Sequence, residues 1–311
     1  MNAENFAEWY RRQGHHVIQT QSSYWYDAVP RVYQAFPFDW LIEPTELELR
    51  QMMKKYKILC IRYSTPIEAP LGKISYQVNL VNPYNLEILR SQARNAVRRG
   101  LSACKIESVS FERVAKEGWK LQRDTLDRQG RLSSMTEADW NRICRSAVGL
   151  DGFEAWAAIV GGEMAAALII GRIGDTFYIP YAFSHRKYFK MHVNNALFYS
   201  VSSNLLSREG INSIFFTVQS LDAPKTVDEF KFRMGINAKA IRQRVTFHPI
   251  LEPLVTKSLH RLILNASQRY PERASLAKVE GMVRFCLCGK LPLKQQEWPE
   301  CLARVKQDIE S

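Results

Sequence analysis

Two short apolar runs, 155–160 and 164–170, meet across Gly161-Gly162, and no other feature constrains the fold as much. Glycine accepts the positive φ of a tight turn, so the spacing predicts a β-hairpin. A third run, 176–183, follows Gly174-Asp175 and is rich in aromatics. It leads into a basic loop that carries His185, Arg186, Lys187 and Lys190. A helix is predicted from about 194 to 208, because Leu197, Val201 and Leu205 recur every four residues and Gly210 ends the run. Residues 213–218 read as a further strand, and a polar loop then reaches Phe230-Lys231 and Gly235. Hairpin, strand, helix, strand in this order places the chain in the α/β (α+β) class.

Upstream, Thr45 and Glu48 stand at capping-box spacing and predict a helix over 45–56. Strands are predicted over 57–63 and 73–80, the second with period-two alternation. A helix is expected from Asn85 to about Arg99, with Gly100 as its stop. Arg90, Arg94 and Arg98 repeat every four residues and line one face of that helix. Two readings of this ridge stand: a solvated face with a cation–dipole interaction of about 0.3–1 kcal/mol, or a ridge that meets phosphate. A strand over 102–109 and a helix from 110 to about 126 follow, with Arg128 at the helix end. Thr136 and Asp139 predict a capped helix reaching 147. From 251 onward the pattern is helical, broken at Pro271.

Bulk properties narrow the function classes. No apolar run among the 311 residues approaches the length of a membrane span, and the acidic-then-basic N-terminus does not read as a secretory signal. A cytoplasmic protein is expected. Six scattered cysteines do not suggest a disulfide scaffold, and Cys286 with Cys288 lacks the further ligands a zinc site needs, so no metal is expected. His15 and His16 are adjacent and point to different faces, so they do not converge on an ion. The net charge of +12 favours anionic partners: a nucleotide cofactor, a phosphorylated substrate, tRNA or anionic lipid headgroups.

Several motifs then fall into a familiar order. Tyr181-Ala182-Phe183-Ser184 ends an aromatic strand, a helix closed by a glycine and a strand follow, and then comes Phe230-Lys231 with Met234-Gly235. Arg94-Asn95-Ala96-Val97-Arg98-Arg99-Gly100 and Thr125-Leu126-Asp127-Arg128-Gln129-Gly130 precede them. Over roughly residues 20–285 this order resembles the GNAT acyltransferase superfamily, in particular its FemAB-like branch. The resemblance implies two tandem GNAT-like domains, each a mixed, mainly antiparallel sheet flanked by helices. Their expected extents are 1–145 for the N-terminal domain and 146–250 for the catalytic one, with a helical extension over 251–311.

The resemblance also implies a reaction: transfer of an acyl or aminoacyl group to an amine on a sugar, peptide or cell-envelope precursor. The donor, an acyl-CoA or an aminoacyl-tRNA, would lie along a splayed strand, 177–183, whose N–H groups polarise its carbonyl. Its phosphates would sit at the start of the next helix, where unpaired N–H groups favour anions. The residues that fall there are Lys190, His192, Asn194 and Asn195, with Arg186 beside them. No glycine lies between Ser184 and Gly210, a departure from the acetyl-CoA-binding pattern, so basic side chains would take part of the backbone's role. By the same resemblance Lys231 stabilises developing negative charge and Phe230 lines the substrate site. Arg128 meets an acceptor phosphate through a planar fork or serves only as a C-terminal cap, and Arg94 and Arg98 belong to the phosphate-facing ridge beside the acceptor or donor site. Tyr181 is a candidate proton donor or acceptor-orienting phenol. His185 and His192 are bases by type, without an evident partner. No Ser-His-Asp or Cys-His arrangement stands out, and direct attack by an amine needs no protein nucleophile. The competing reading is a non-catalytic protein that binds nucleic acid or anions on the same scaffold.

Overall fold

The computed structural model describes residues 3–131, 134–221, 228–271 and 273–310. In chain order the first elements are α1 (Ala3–Arg12), β1 (Val17–Gln19), β2 (Tyr24–Val29), β3 (Val32–Phe36), α2 (Glu46–Lys55), β4 (Cys60–Thr65) and β5 (Lys73–Val81). There follow α3 (Ser91–Ala103), β6 (Lys105–Val109), α4 (Phe111–Arg128), α5 (Glu137–Ser146), β7 (Phe153–Val160), β8 (Glu163–Ile173) and β9 (Thr176–Ser184). The chain ends with α6 (Val193–Leu206), β10 (Ser213–Val218), α7 (Glu229–Arg233), β11 (Asn237–Phe247), α8 (Lys257–Arg269), α9 (Ala274–Gly289) and α10 (Ala303–Glu310). These elements form two compact units that interleave along the sequence. One takes residues 1–14, 79–216 and 225–237, the other 15–78, 217–224 and 238–311.

In the first unit the strands run in the order β10-β9-β8-β7-β6, with β9 and β10 parallel and the other pairs antiparallel. The β7–β8 turn is the glycine pair, Gly161 at φ 57° and Gly162 at φ 85°, as the hairpin reading requires. Helices α1, α4 and α5 cover one face. Phe6 and Trp9 of α1 pack on Phe153 at 4.9 and 5.1 Å, and Trp140 of α5 lies edge-on to Phe183 at 4.8 Å. The buried indoles are satisfied: Trp9 Nε1 donates to the Ile143 carbonyl and Trp140 Nε1 to that of Val114. The other face carries α6, with Phe198 stacked on Phe216 of β10 at 5.9 Å. Phe215, one residue earlier, packs on Tyr178, which also meets Phe6 of α1. Successive strand residues point to opposite faces, and these contacts identify which is which.

In the second unit the strand order is β1-β2-β3-β4-β11-β5. β3 and β4 are parallel, whereas β1–β2, β2–β3 and β4–β11 are antiparallel. Ile61 and Tyr63 of β4 face a core shared with Trp25, Leu49, Met52 and Met53. Cys60 turns the other way, into a cluster with Val245, Val255, Val283, Phe285 and Cys286. The helices after 251 therefore contribute directly to the core of this unit.

Several sequence boundaries move. Asn85 caps only a 3₁₀ turn, Leu86–Ile88, and α3 begins at Ser91. Gly100 does not stop α3, which runs through it to Ala103, so the following strand begins at Lys105 rather than 102. β11, with its mixture of cations and apolar residues, and the β2–β3 hairpin are additional to the predicted elements. His15 and His16 part as expected, Nδ1 of the first lying 3.0 Å from an Asp27 carboxylate oxygen and Nδ1 of the second 2.7 Å from the Tyr33 hydroxyl.

Candidate functional site at the end of the splayed strand

β9 is where the first unit departs from a regular sheet. Against β8, Tyr178 stands opposite Gly171 and Tyr181 opposite Ile169, so Ile179 and Pro180 together face a single residue. This is a β-bulge, and proline fits there because it has no N–H to give to a ladder. On the other side, β9 pairs with β10 only through Thr176, Phe177 and Tyr178, opposite Ser213, Ile214 and Phe215. β9 itself continues to Ser184. The bulge and the short parallel ladder open a wedge at the C-terminal end of the two strands. The signal for it was in the sequence: Pro180 inside an otherwise aromatic strand.

The far end of β9 is tied down by α4. Thr125 Oγ1 donates to the Ser184 carbonyl at 3.1 Å and accepts from the Ser184 N–H at 3.1 Å. Arg128 Nη2 donates to the same carbonyl at 3.1 Å, its Nε reaches Asp124 at 3.1 Å, and its guanidinium lies over the Phe189 ring. Asp124 also accepts from the Arg186 N–H at 2.9 Å and from Arg186 Nε at 2.5 Å, while Asp127 takes a further Arg186 nitrogen. Burial alone pushes the Asp124 carboxyl up. The hydrogen bonds from Arg186 and then Arg128 outweigh it and hold the group below the ordinary aspartate value. The Thr-x-x-Arg motif is therefore a clamp on the strand end, and Asp124 and Asp127, absent from the predicted site, are its acidic half.

From Ser184 the chain makes a 3₁₀ turn, Arg186–Met191, and then His192 in the left-handed region at φ 55° swings it into α6. His192 gives no side-chain cap. The first N–H groups of α6 precede any intrahelical partner, the usual condition of a helix start. Asn194 Nδ2 donates to Ser184 Oγ at 3.1 Å, and Asn195 Nδ2 approaches Met234 Sδ at 3.3 Å. Gly100 of α3 lies against this turn so closely that a Cβ there would stand 2.5 Å from the His192 carbonyl oxygen. Beside α6, Phe230 of α7 meets Phe198 at 5.4 Å, and Lys231 Nζ donates to Asp228 at 2.6 Å. Tyr84 fixes the following turn through a bond from its hydroxyl to the Met234 carbonyl.

The structure thus gathers part of the predicted set. Arg128, Arg186 and Asn194 converge on Ser184 and its clamp, and His192, Asn195, Phe230 and Lys231 flank the start of α6 or α7. Lys190 is exposed on the 3₁₀ turn and Arg98 is exposed on α3. Two residues do not fit the roles expected of them. Tyr181 packs against Trp9 at 6.2 Å and Trp140 at 5.9 Å, on the α1 and α5 face, whereas α7 with Lys231 lies on the α6 face. The bulge rotates Tyr181 into that core, so the two do not meet around one carbonyl. Arg94 turns back to the Glu87 and Leu89 carbonyls at 3.3 and 3.1 Å and holds the 3₁₀ turn. Arg90 precedes the helix, so the expected ridge does not form. Arg186, placed among donor-binding cations, has its charge met by two carboxylates. Among the described residues no group of three or more His, Cys, Asp or Glu could hold a metal ion, and no helix is long and apolar enough to cross a membrane.

A mixed sheet flanked by helices, with a bulged strand splayed from a parallel neighbour ahead of a helix start, defines a GNAT-type fold. Searched by sequence, the chain matches no family model and no curated protein. Among solved structures it is similar to FemX, with a TM-score of 0.56 at 11% identity over 80% of this chain and 92% of that one. It is also similar to the C-terminal domain of a putative lysylphosphatidylglycerol synthetase from Agrobacterium fabrum, with a TM-score of 0.52 at 13% identity over 77% and 86%. A conserved protein of unknown function from Bacteroides thetaiotaomicron VPI-5482 gives 0.53 at 10% identity over 77% and 87%. The FemAB-like GNAT resemblance read from the motifs therefore holds at the level of fold.

Proposed function

We propose that the protein is an N-acyltransferase that moves an acyl or aminoacyl group from a CoA thioester or an aminoacyl-tRNA to an amine. The observation that carries this reading is the wedge between β9 and β10, opened by the Ile179–Pro180 bulge next to the start of α6. A carbonyl laid in the wedge meets strand N–H groups released from the ladder, which polarise it without reorganisation. The acceptor amine attacks the carbonyl carbon, and the oxyanion so formed rests on those N–H groups. Collapse restores the carbonyl and expels the thiolate of CoA or the ribose oxygen of tRNA, which takes up the proton that the amine releases. The donor's phosphates lie at the first turn of α6, among His192, Asn194, Asn195 and Lys190. Arg98 and Phe230 remain candidates for the acceptor side, and Lys231 for charge stabilisation near the leaving group. The name of the lysylphosphatidylglycerol synthetase domain adds a lipid headgroup to the candidate acceptors. Cytoplasmic location belongs to this same proposal.

A second reading, anion or RNA binding without turnover, draws support from the pairing of Arg186 with Asp124 and Asp127 and from the glycine-free donor turn. One experiment separates them. Thermal shift with acyl-CoAs and with aminoacyl-tRNA identifies the donor, and transfer of labelled acyl group to an amine acceptor identifies turnover. Stabilisation by a donor at 100 times its Kd adds about 2.7 kcal/mol, a readily measured shift. Binding of uncharged RNA with a steep salt dependence and no transfer to any amine sinks the enzyme reading.

A further inference from the structure

Three of the four most exposed large apolar side chains among the described residues lie between positions 250 and 262. They are Ile250 at 76%, Leu254 at 62% and Leu262 at 67%. All three belong to the second unit, on the turn that leads into α8 and on α8 itself. The helix turns Leu259, Ile263, Leu264 and Ala266 toward cover and leaves Ser258, Arg261, Leu262, Asn265 and Arg269 outward, at the spacing of one helical face. Just beyond it, Tyr270 is partly exposed, with the Arg269 and Arg273 guanidinium carbons 5.9 and 5.2 Å from its ring centre.

The charge of this region has one sign. Between Pro253 and Val279 the chain carries Lys257, Arg261, Arg269, Arg273 and Lys278 against a single acid, Glu272. The acids at its borders are engaged elsewhere: Glu252 accepts from Lys290 at 2.9 Å, and Glu280 is held by His260 at 2.8 Å and Arg284 at 2.9 Å. Exposed aliphatic side chains set among an excess of cations match the chemistry of an anionic lipid surface, where apolar groups enter the acyl boundary and cations meet phosphates. Single-stranded nucleic acid satisfies the cations but leaves Ile250, Leu254 and Leu262 in water.

We propose that this face of the second unit docks peripherally on an anionic membrane. Leu254, Leu262 and Ile250 enter the boundary beneath the headgroups, and Lys257, Arg261, Arg269 and Arg273 contact lipid phosphates. The proposal does not depend on the transferase reading and is tested without turnover. The full chain is sedimented with phosphatidylcholine vesicles with and without phosphatidylglycerol, at low and high salt. Binding is expected only with phosphatidylglycerol present, and it is expected to weaken on raising the salt. The double variants Leu254→Gln/Leu262→Gln and Arg261→Gln/Arg269→Gln should each lower partitioning about tenfold, with unchanged far-UV circular dichroism. Failure to bind phosphatidylglycerol vesicles, or binding untouched by the leucine pair, overturns the proposal. So does retention on poly(U) that the leucine pair leaves unchanged while vesicles are not bound, which assigns the face to nucleic acid.

Discussion

Asp124 illustrates how one residue couples local structure to the site. Its two oxygens serve Arg128 on its own helix and Arg186 on the turn after β9, so it links the clamp to the donor-facing turn. Because its folded pKa lies below the unfolded value, its contribution is complete above the unfolded pKa and disappears as pH falls through the folded one. Asp124→Asn is therefore expected to lower the urea midpoint at neutral pH, and the gap from the native chain should close as pH falls below the ordinary aspartate range. A gap that persists in acid means that packing, not charge, accounts for the loss. Lys231 also has a structural duty, since its partner Asp228 is buried. Lys231→Ala should cost about 1–3 kcal/mol through loss of its charged hydrogen bond to this carboxylate, in addition to any loss of turnover. A double-mutant cycle with Asp228→Asn separates the two: restored stability with turnover still depressed assigns Lys231 a role near the reacting centre.

At the scale of elements, α3 and the start of α6 approach each other closely. Gly100 reads from sequence as a helix stop, yet it sits inside the helix because a neighbour needs the space. With a Cβ in place, contacts of 2.5 Å to the His192 oxygen and 2.8 Å to the Ala196 Cβ would force α3 outward. Gly100→Ala is expected to destabilise by about 1–3 kcal/mol, despite alanine's better helix propensity. Measured stability equal to or above that of the native chain would mean that the crossing is looser than described. The same turn would hold the donor phosphates, so donor affinity in this variant should fall further than stability alone accounts for. The bulge is the other decisive element. Deleting Pro180 removes the extra residue and leaves Tyr181 opposite Ile169, so Tyr181 and Phe183 keep their faces and Trp140 its ring contacts while the strand straightens and the wedge narrows. A retained near-UV tryptophan signal together with loss of donor-induced thermal stabilisation is the expected result; loss of the tryptophan signal would mean that the register of the strand is not what the bulge leaves behind.

On the scale of the whole molecule, each unit is assembled from three stretches of chain, and neither follows a single cut in the sequence. The segment 146–250 holds the wedge but lacks α1, α4 and α5, whose Phe6, Trp9 and Trp140 cover one face of its strands. Expressed alone, it should bind hydrophobic dye and show no cooperative urea transition; a cooperative transition would show that the face does not need that cover. What was legible in the sequence was whatever short-range chemistry decides. Glycine pairs set the β7–β8 turn, four-residue spacing set α6, and the Ser110, Thr136 and Thr45 caps set helix starts to within a residue. The motif order that pointed to the fold has the same local origin. The face to which a side chain turns and the partner that meets its charge were decided by tertiary structure alone. Tyr181 and Lys231 look like neighbours in a motif list, but one extra residue in β9 sends the first into an aromatic core. Arg186 looks like a free cation until α4 brings Asp124 and Asp127 to it from some sixty residues away. Periodicity is a property of a segment, whereas register and ion pairing depend on where the rest of the chain returns.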